Sequence, residues 1–230
     1  TSRRPTSPCA SSRRRSPNAA VPTTGYPVFN VPPEVADAAA SVGYTACTHA
    51  TNHSWDQGAD GIARLWDTLA SKGIAQTGSY KTEEDSTKPL VIDPPTGGGK
   101  LGLVTGTVSL NGMTADEDWQ VDRLREDGDP NHDSDIQRAV DKANKAREQG
   151  ADVVAIAMHS VQEYLDYADS WQISEAHELA DTGAFDVITV PVAIVRSPSR
   201  TITARGLSTV WATPSPSRRT RRKPWSTIRV

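Results

Sequence analysis

The distribution of charge limits how much of this 230-residue chain can fold as one unit. All 28 acidic residues lie between Glu34 and Asp186. Residues 1–33 hold five Arg and no acid, and residues 196–230 hold nine Arg or Lys and no acid. These Arg-, Ser- and Pro-rich ends carry little apolar periodicity, so they cannot bury enough surface to offset their chain entropy.

We therefore predict three parts. Residues 25–189 form one α/β domain, which is long enough for a sizeable core. Residues 1–24 and 190–230 are predicted to be disordered or wrongly encoded. Only Cys9 and Cys47 are present, which excludes a disulfide framework and a Cys-rich zinc site. No apolar run approaches the roughly 20 residues of a membrane span, and the N-terminus lacks the apolar core of a signal peptide.

The central part alternates strand-like and helix-like segments, as α/β domains do. The run ADVVAIAMHS is typical of a parallel strand buried on both faces. Gly97-Gly98-Gly99 predicts a hairpin turn, since no G-K-S/T follows it. Helices are predicted over residues 34–42, 61–72, 133–149 and 171–181, and strands over 44–49, 74–78, 90–93, 101–109 and 185–189.

Two polar positions follow predicted strands and are candidates for a shared site. Asn52 and His53, in the stretch ATNHSWDQGADG, come after the first strand, and His159 ends the ADVVAIAMHS strand. Ligands of open α/β sheets bind at the carboxyl ends of the strands, so we expect these side chains to meet in one crevice. An Asn-His pair there can hold a metal ion beside a proton donor.

Residues 111–130 are polar and rich in Asp, and we predict a solvated surface loop. A metal site formed by its Asp side chains is the alternative, although the spacing of calcium-binding loops is absent. The remaining histidines are assigned surface or packing roles: His49, His132 and His177.

These residues resemble a known family. The run GYTACTHATNHSWDQGADGI, with KGIAQTGSY after the next helix, is similar to the bacterial CapA family of poly-gamma-glutamate (capsule) biosynthesis proteins. That family is a branch of the calcineurin-like metallophosphoesterases. A second block, GADVVAIAMHSVQEY followed by WQISEAHELADTGAFDVIT, resembles its later segments. The resemblance covers residues 25–189 and implies a partial metallophosphoesterase-like α/β/β/α sandwich with disordered or non-native basic ends.

The resemblance also implies roles for individual residues. Asn52 and His159 would ligate metal, and His53 would donate a proton or stabilise an oxyanion. The implied cofactor is a pair of divalent ions of the Mn, Fe or Zn class, which clamp substrate oxygens and activate a bound water.

Three further positions match the family without an implied place among the ligands. Glu163 and Tyr164 match a family pair, for which we favour a pocket or supporting role over direct ligation. Asp56 also matches a family position, and its place fits a turn or helix-start residue as well as a pocket role.

Three elements of the family pattern are absent as translated: the first metal-binding Asp, a Leu-Glu segment and the final His motif. Back-translating the tail after Thr189 in GC-rich codons, and reading one base earlier, gives GAGSHRAQPIEN, which restores the last motif. The same shift turns RPTSPCASSRRR into approximately PADLALCQLETP, with the frame returning near Ser16 to Asn18. We therefore predict a frameshift at each end and a damaged site with little catalysis.

The expected partners are capsule or polyglutamate synthesis machinery and a small phosphorylated or polymeric substrate. A non-catalytic partner of a capsule synthase is the first alternative. Polyanion binding through the Arg-rich ends is the second; the acidic centre and the lack of interleaved aromatics argue against nucleic acid. The family resembled is often membrane-anchored or extracytoplasmic, but this chain carries no segment that fixes its localisation.

Overall fold

The computed structural model describes residues 21–94, 97–159, 168, 170–190, 199–203 and 210–212. The chain is a mixed α/β protein, as predicted. Its helices are α1 Glu34–Ser41, α2 Gly58–Ser71, α3 Glu83–Ser86, α4 His132–Glu148 and α5 Ser170–Asp181. Its strands are β1 Ala46–Thr48, β2 Ala75–Thr77, β3 Leu90–Ile92, β4 Leu101–Thr107, β5 Val153–His159, β6 Val187–Val190, β7 Ser199–Thr203 and β8 Val210–Ala212.

The strands form two sheets. In the small sheet, β1 and β2 pair in parallel. The large sheet has the order β3-β4-β5-β6-β7-β8. Its three central strands β4, β5 and β6 are parallel, so their carboxyl ends meet at one edge. The antiparallel β3–β4 pair confirms the predicted hairpin around the glycine run.

The main core lies between the central strands and helices α4 and α5. Val104, Ile156 and Ile188 project from the strands onto Leu179 of α5 and the Ala-rich face of α4. Helix α4 approaches β4 closely, because Gly102 has no side chain: a Cβ there would lie 2.8 Å from the Cβ of Ala146. This packing fixes the direction of β5 and therefore the position of His159.

Helix boundaries follow local sequence signals. Helix α4 carries Asp133 and Asp135 in its first turn and Lys145 and Arg147 in its last, which complements the helix dipole. Gly150 follows with a φ of +89°, the left-handed conformation that ends many helices. Within the described residues, none of the helices combines the length and apolarity needed to cross a bilayer.

The predicted loop over residues 111–130 is partly wrong. A 3-10 turn covers Asp118–Gln120, and the next residues are buried rather than solvated, with Val121 at 2% and Leu124 at 1% exposure. This segment bridges the two sheets, because Asp122 donates its N–H to Gly78 O and accepts at its carbonyl from Thr107 N. No polar pattern in the sequence signals this insertion.

Two strand predictions also need correction. Strand β1 is shorter than the predicted 44–49, and its three residues are partly buried. Strand β5 alternates between fully buried and partly exposed positions instead of being buried on both faces.

Candidate metal and proton-transfer site

A tightly hydrogen-bonded turn follows β1 and presents the Asn-His pair. Thr51 N donates to Ser54 Oγ at 2.7 Å, Ser54 N donates to Thr51 O at 3.1 Å, and Ser54 Oγ donates to His49 O. Trp55 is buried in a small core with Ala50 and anchors the end of the turn. The side chains that follow β1 are therefore held on a fixed backbone.

The structure brings Asn52 and His159 together, although 107 residues separate them in the chain. Asn52 Oδ1 lies 3.0 Å from His159 Nε2. In the structure this contact is a hydrogen bond in which Asn52 Oδ1 accepts. Two ligands bound at about 2.1 Å to one ion lie about 3.0–3.4 Å apart, so the same separation also suits atoms that share a metal. These two side chains therefore meet beyond the ends of their strands, as expected from the sequence.

His53 lies beside this contact and is paired with a carboxylate. Its Nδ1 lies 2.8 Å from Asp56 Oδ2, and the Asp56 side chain is 2% exposed. Because a carboxylate only accepts hydrogen bonds, Nδ1 carries the proton and Nε2 is the nitrogen left for other chemistry. The ring also packs edge-on against Phe29, with centroids 4.6 Å apart.

Asp56 occupies the turn before α2, as its sequence position indicates, but its carboxylate does not cap that helix. The N-cap residue is Gln57, which makes no side-chain capping bond. Asp56 Oδ2 instead accepts from Phe29 N at 2.7 Å and pairs with His53. Asp56 therefore orients the imidazole of His53. Glu163 and Tyr164, the other predicted pocket residues, lie outside the described residues.

Asn111 is a member of the site that the sequence reasoning missed. Its Oδ1 accepts from Asn52 Nδ2 at 3.1 Å, and its Nδ2 lies 3.4 Å from His53 Nδ1. Its φ of +54° places it in the left-handed region, which non-glycine residues seldom occupy outside turns and functional sites. The only sequence signal is an Asn-Gly pair after β4.

Burial keeps the two histidines nearest the strand ends neutral. The pKa of His159 is lowered by burial and by the nearby His53. Burial lowers the pKa of His49 to about 4, and His49 Nε2 is enclosed with no hydrogen-bond partner among the described residues. Neutral imidazole is the form that binds metal.

The low pKa of His49 predicts a loss of stability in acid. The unfolded chain takes up a proton near pH 6.5 while the folded chain resists it to about pH 4. The neutral form of His49 therefore contributes its full stabilisation above pH 6.5. The free energy of unfolding falls by about 3 kcal/mol as the pH drops to about 4. Urea unfolding of the parent chain and of His49→Gln between pH 4 and 8 measures this. If the free energy of unfolding changes with pH in the same way in the two chains, the predicted effect of His49 is contradicted.

A groove of about 740 Å³ opens beside His53. Apolar side chains from the segment before α1 and from α2 line most of it, among them Phe29, Val31 and Leu65. His53 and Asp56 line the same groove. A ligand held there would reach the free edge of the His53 ring.

The donor set of the described residues fits part of a metal centre. Asn52 and His159 supply two donor atoms for one ion, whereas a catalytic site takes three or more protein ligands. The described residues therefore fit one ligand pair and not a complete two-ion centre. The roles of Asn52, His53 and His159 in ligation and proton transfer stay predictions.

A second group of side chains could hold a metal ion. His132, Glu175 and Glu178 place one ligand atom each within 4.8 Å of one another. His132, for which a surface or packing role was predicted, is buried, and its ring faces these two carboxylates.

Comparison with known families identifies the chain. Comparison with curated proteins gives no match. A family model described as bacterial capsule synthesis protein, PGA_cap, matches residues 14–190. This match spans most of the chain and contains both sequence blocks and every described residue of the site, so the protein belongs to the bacterial capsule synthesis protein family.

Proposed function

We propose that the chain is a capsule or poly-gamma-glutamate biosynthesis protein of CapA type with a metal-dependent, phosphoesterase-like site. The observation that carries this proposal is the 3.0 Å contact between Asn52 Oδ1 and His159 Nε2 beside the His53–Asp56 pair. A donor pair for a metal and an oriented imidazole are the two parts that metal-assisted hydrolysis needs at one place.

Each residue has a defined task in this proposal. Asn52 and His159 hold a divalent ion of the Mn, Fe or Zn class, which supplies Lewis acidity when bound. Asp56 fixes the tautomer of His53 by accepting from Nδ1, so that His53 Nε2 exchanges a proton with the substrate. Asn111 holds the Asn52 carboxamide in place through its Oδ1.

We propose that this site is impaired in the chain as translated. Two donors bind a divalent ion weakly, because each missing ligand is replaced by water. The family match ends at residue 190, next to Thr189, which is where we predict the second frameshift. Sequencing the gene at both ends tests the proposed frameshifts, and one uninterrupted frame that encodes the present ends would refute them.

Hydrolysis of an aryl phosphate with added Mn²⁺ tests the activity. We expect turnover by the present chain to stay near the buffer background. A chain with both frames restored should be active, and His53→Gln in that chain should lower kcat by about 10²–10⁴-fold, the usual contribution of general acid–base catalysis. Robust Mn²⁺-dependent turnover by the present chain, abolished by His53→Ala, would contradict the impairment.

The incomplete donor set favours a second candidate function, a non-catalytic partner of a capsule synthase. Such a partner needs no bound metal, so metal content separates the two candidates. An intact-frame chain purified with stoichiometric Mn, Fe or Zn favours the enzyme, and a metal-free chain that binds the synthase favours the partner. The substrate proposed for the enzyme is a small phosphorylated compound or an activated polymer end.

A further inference from the structure

Glu175 is a buried carboxylate without a hydrogen bond among the described residues. The residue is 2% exposed, and its Oε1 is fully enclosed with no partner. Its Oε2 lies 4.0 Å from His132 Nδ1, which is too far for a hydrogen bond. A buried carboxylate costs several kcal/mol unless a proton or a cation compensates it, roughly 2–5 kcal/mol in proteins.

Apart from His132, the nearby charges do not supply that compensation. Glu178, Asp135 and Asp127 add negative charge around Glu175. The guanidinium of Arg125 is already paired with Asp118 and Asp135. Burial and these acids raise the pKa of Glu175 to about 7, so its environment favours a bound proton or a further cation.

His132 is oriented as metal-ligating histidines are. Its Nδ1 lies 2.6 Å from the carbonyl oxygen of Arg125, so Nδ1 is the protonated nitrogen and donates this bond. Its Nε2 lies 3.1 Å from Glu178 Oε2, so without an ion it carries a second proton and donates to that carboxylate. A divalent ion bound there would replace this proton and leave the ring neutral. A backbone carbonyl that holds one ring nitrogen fixes the tautomer and turns the other nitrogen toward an ion.

We propose that His132, Glu175 and Glu178 form a divalent-cation site between the start of α4 and helix α5. One neutral imidazole and two carboxylates match the charge of a divalent ion and the ligand preferences of Zn²⁺. Ligands of one tetrahedral Zn²⁺ lie about 3.3–3.5 Å apart, so small side-chain rotations from the present spread of up to 4.8 Å bring the three into range.

This site is separate from the one proposed for catalysis. It shares no residue with the Asn52–His159 pair, and its three ligands come from two helices instead of the strand ends. Glu178 is 44% exposed, which gives an ion a route from solvent. A bound ion there joins α4 to α5 and so strengthens the packing of both helices on the large sheet.

Zinc titration of the full chain tests the site. The chain, stripped with EDTA, carries Asn52→Ala and His159→Ala to remove the other donor pair, and Zn²⁺ binding is followed by calorimetry. We expect one Zn²⁺ per chain, with an affinity that Glu175→Gln weakens by at least about tenfold. Co²⁺ should give the absorption bands of a tetrahedral site, and these bands should disappear in the same variant.

The matched control is Glu148→Gln, which removes an exposed carboxylate from α4 and should leave the affinity unchanged. Glu178→Gln, at a half-exposed position where folding is less at risk, decides the question if Glu175→Gln does not fold. All variants are compared in the folded Asn52→Ala/His159→Ala chain. If Glu175→Gln and Glu178→Gln leave the Zn²⁺ affinity of that chain unchanged, the proposal is overturned. The absence of any Zn²⁺ binding in that chain would overturn it too.

Discussion

Replacing Asp122 with Ala should lower the free energy of unfolding by about 3–5 kcal/mol, because it leaves a buried ammonium without its counter-ion. Lys142 Nζ donates to Asp122 Oδ1 and, at 2.9 Å, to the hydroxyl of Tyr80. Tyr80 in turn donates to Asp122 Oδ2 at 2.6 Å. The Lys142 side chain is 8% exposed, and burial lowers its pKa while Asp122 opposes that change.

Urea unfolding followed by circular dichroism measures this loss. Asp67→Ala is the matched control, since Asp67 pairs with Lys81 at the surface, where an ion pair contributes about 0–1 kcal/mol. Removing both charges, in Asp122→Ala/Lys142→Met, should cost less than Asp122→Ala alone. Equal losses for Asp122→Ala and Asp67→Ala would show that the buried pair does not stabilise the fold.

Replacing Gly78 with Ala should lower the free energy of unfolding by about 3 kcal/mol or more, because the chain packs against the space a side chain needs. A Cβ at Gly78 would lie 2.5 Å from Ala50 N and 2.6 Å from Thr105 Cγ2. The φ of +108° at Gly78 adds strain for any other residue. Ala50 is two residues before Asn52, so the displaced backbone also disturbs the site.

Gly73→Ala separates strain from steric overlap. Gly73 also has a positive φ, +69°, but nothing lies within 4 Å of its Cβ position. That variant should lose only about 1–2 kcal/mol. Thermal unfolding of the two variants compares them directly. A Gly78→Ala chain as stable as Gly73→Ala would mean that Ala50 and Thr105 move aside at little cost.

The long, strongly patterned elements of the fold could be predicted from the sequence. Helix α4 carries helix-boundary residues, and strand β5 carries an uninterrupted apolar run. Both elements begin and end within two residues of the predicted bounds. The segment around Asp122 could not be predicted. Its charged residues suggest solvent, but Lys142 neutralises Asp122 from another helix, and such a long-range pair leaves no local pattern.

The site residues also divide into those that the sequence predicts and those that it does not. Asn52 and His159 could be predicted as candidates because each follows a strand, but β1 and β5 lie in different sheets, so their meeting also depends on how the two sheets pack. Asn111 reaches the site through an irregular turn whose backbone conformation has no periodic signal. The facing of His132 and Glu175 depends on how α4 and α5 pack, which neither helix specifies alone.

The contact between Asn52 and His159 joins a residue after the small sheet to a strand of the large one. An ion held by both would act as a removable cross-link across 107 residues of chain. Since only the folded chain brings these atoms together, ion concentration would set the population of the folded state by mass action. Starving such a protein of metal would therefore lower its abundance in the cell.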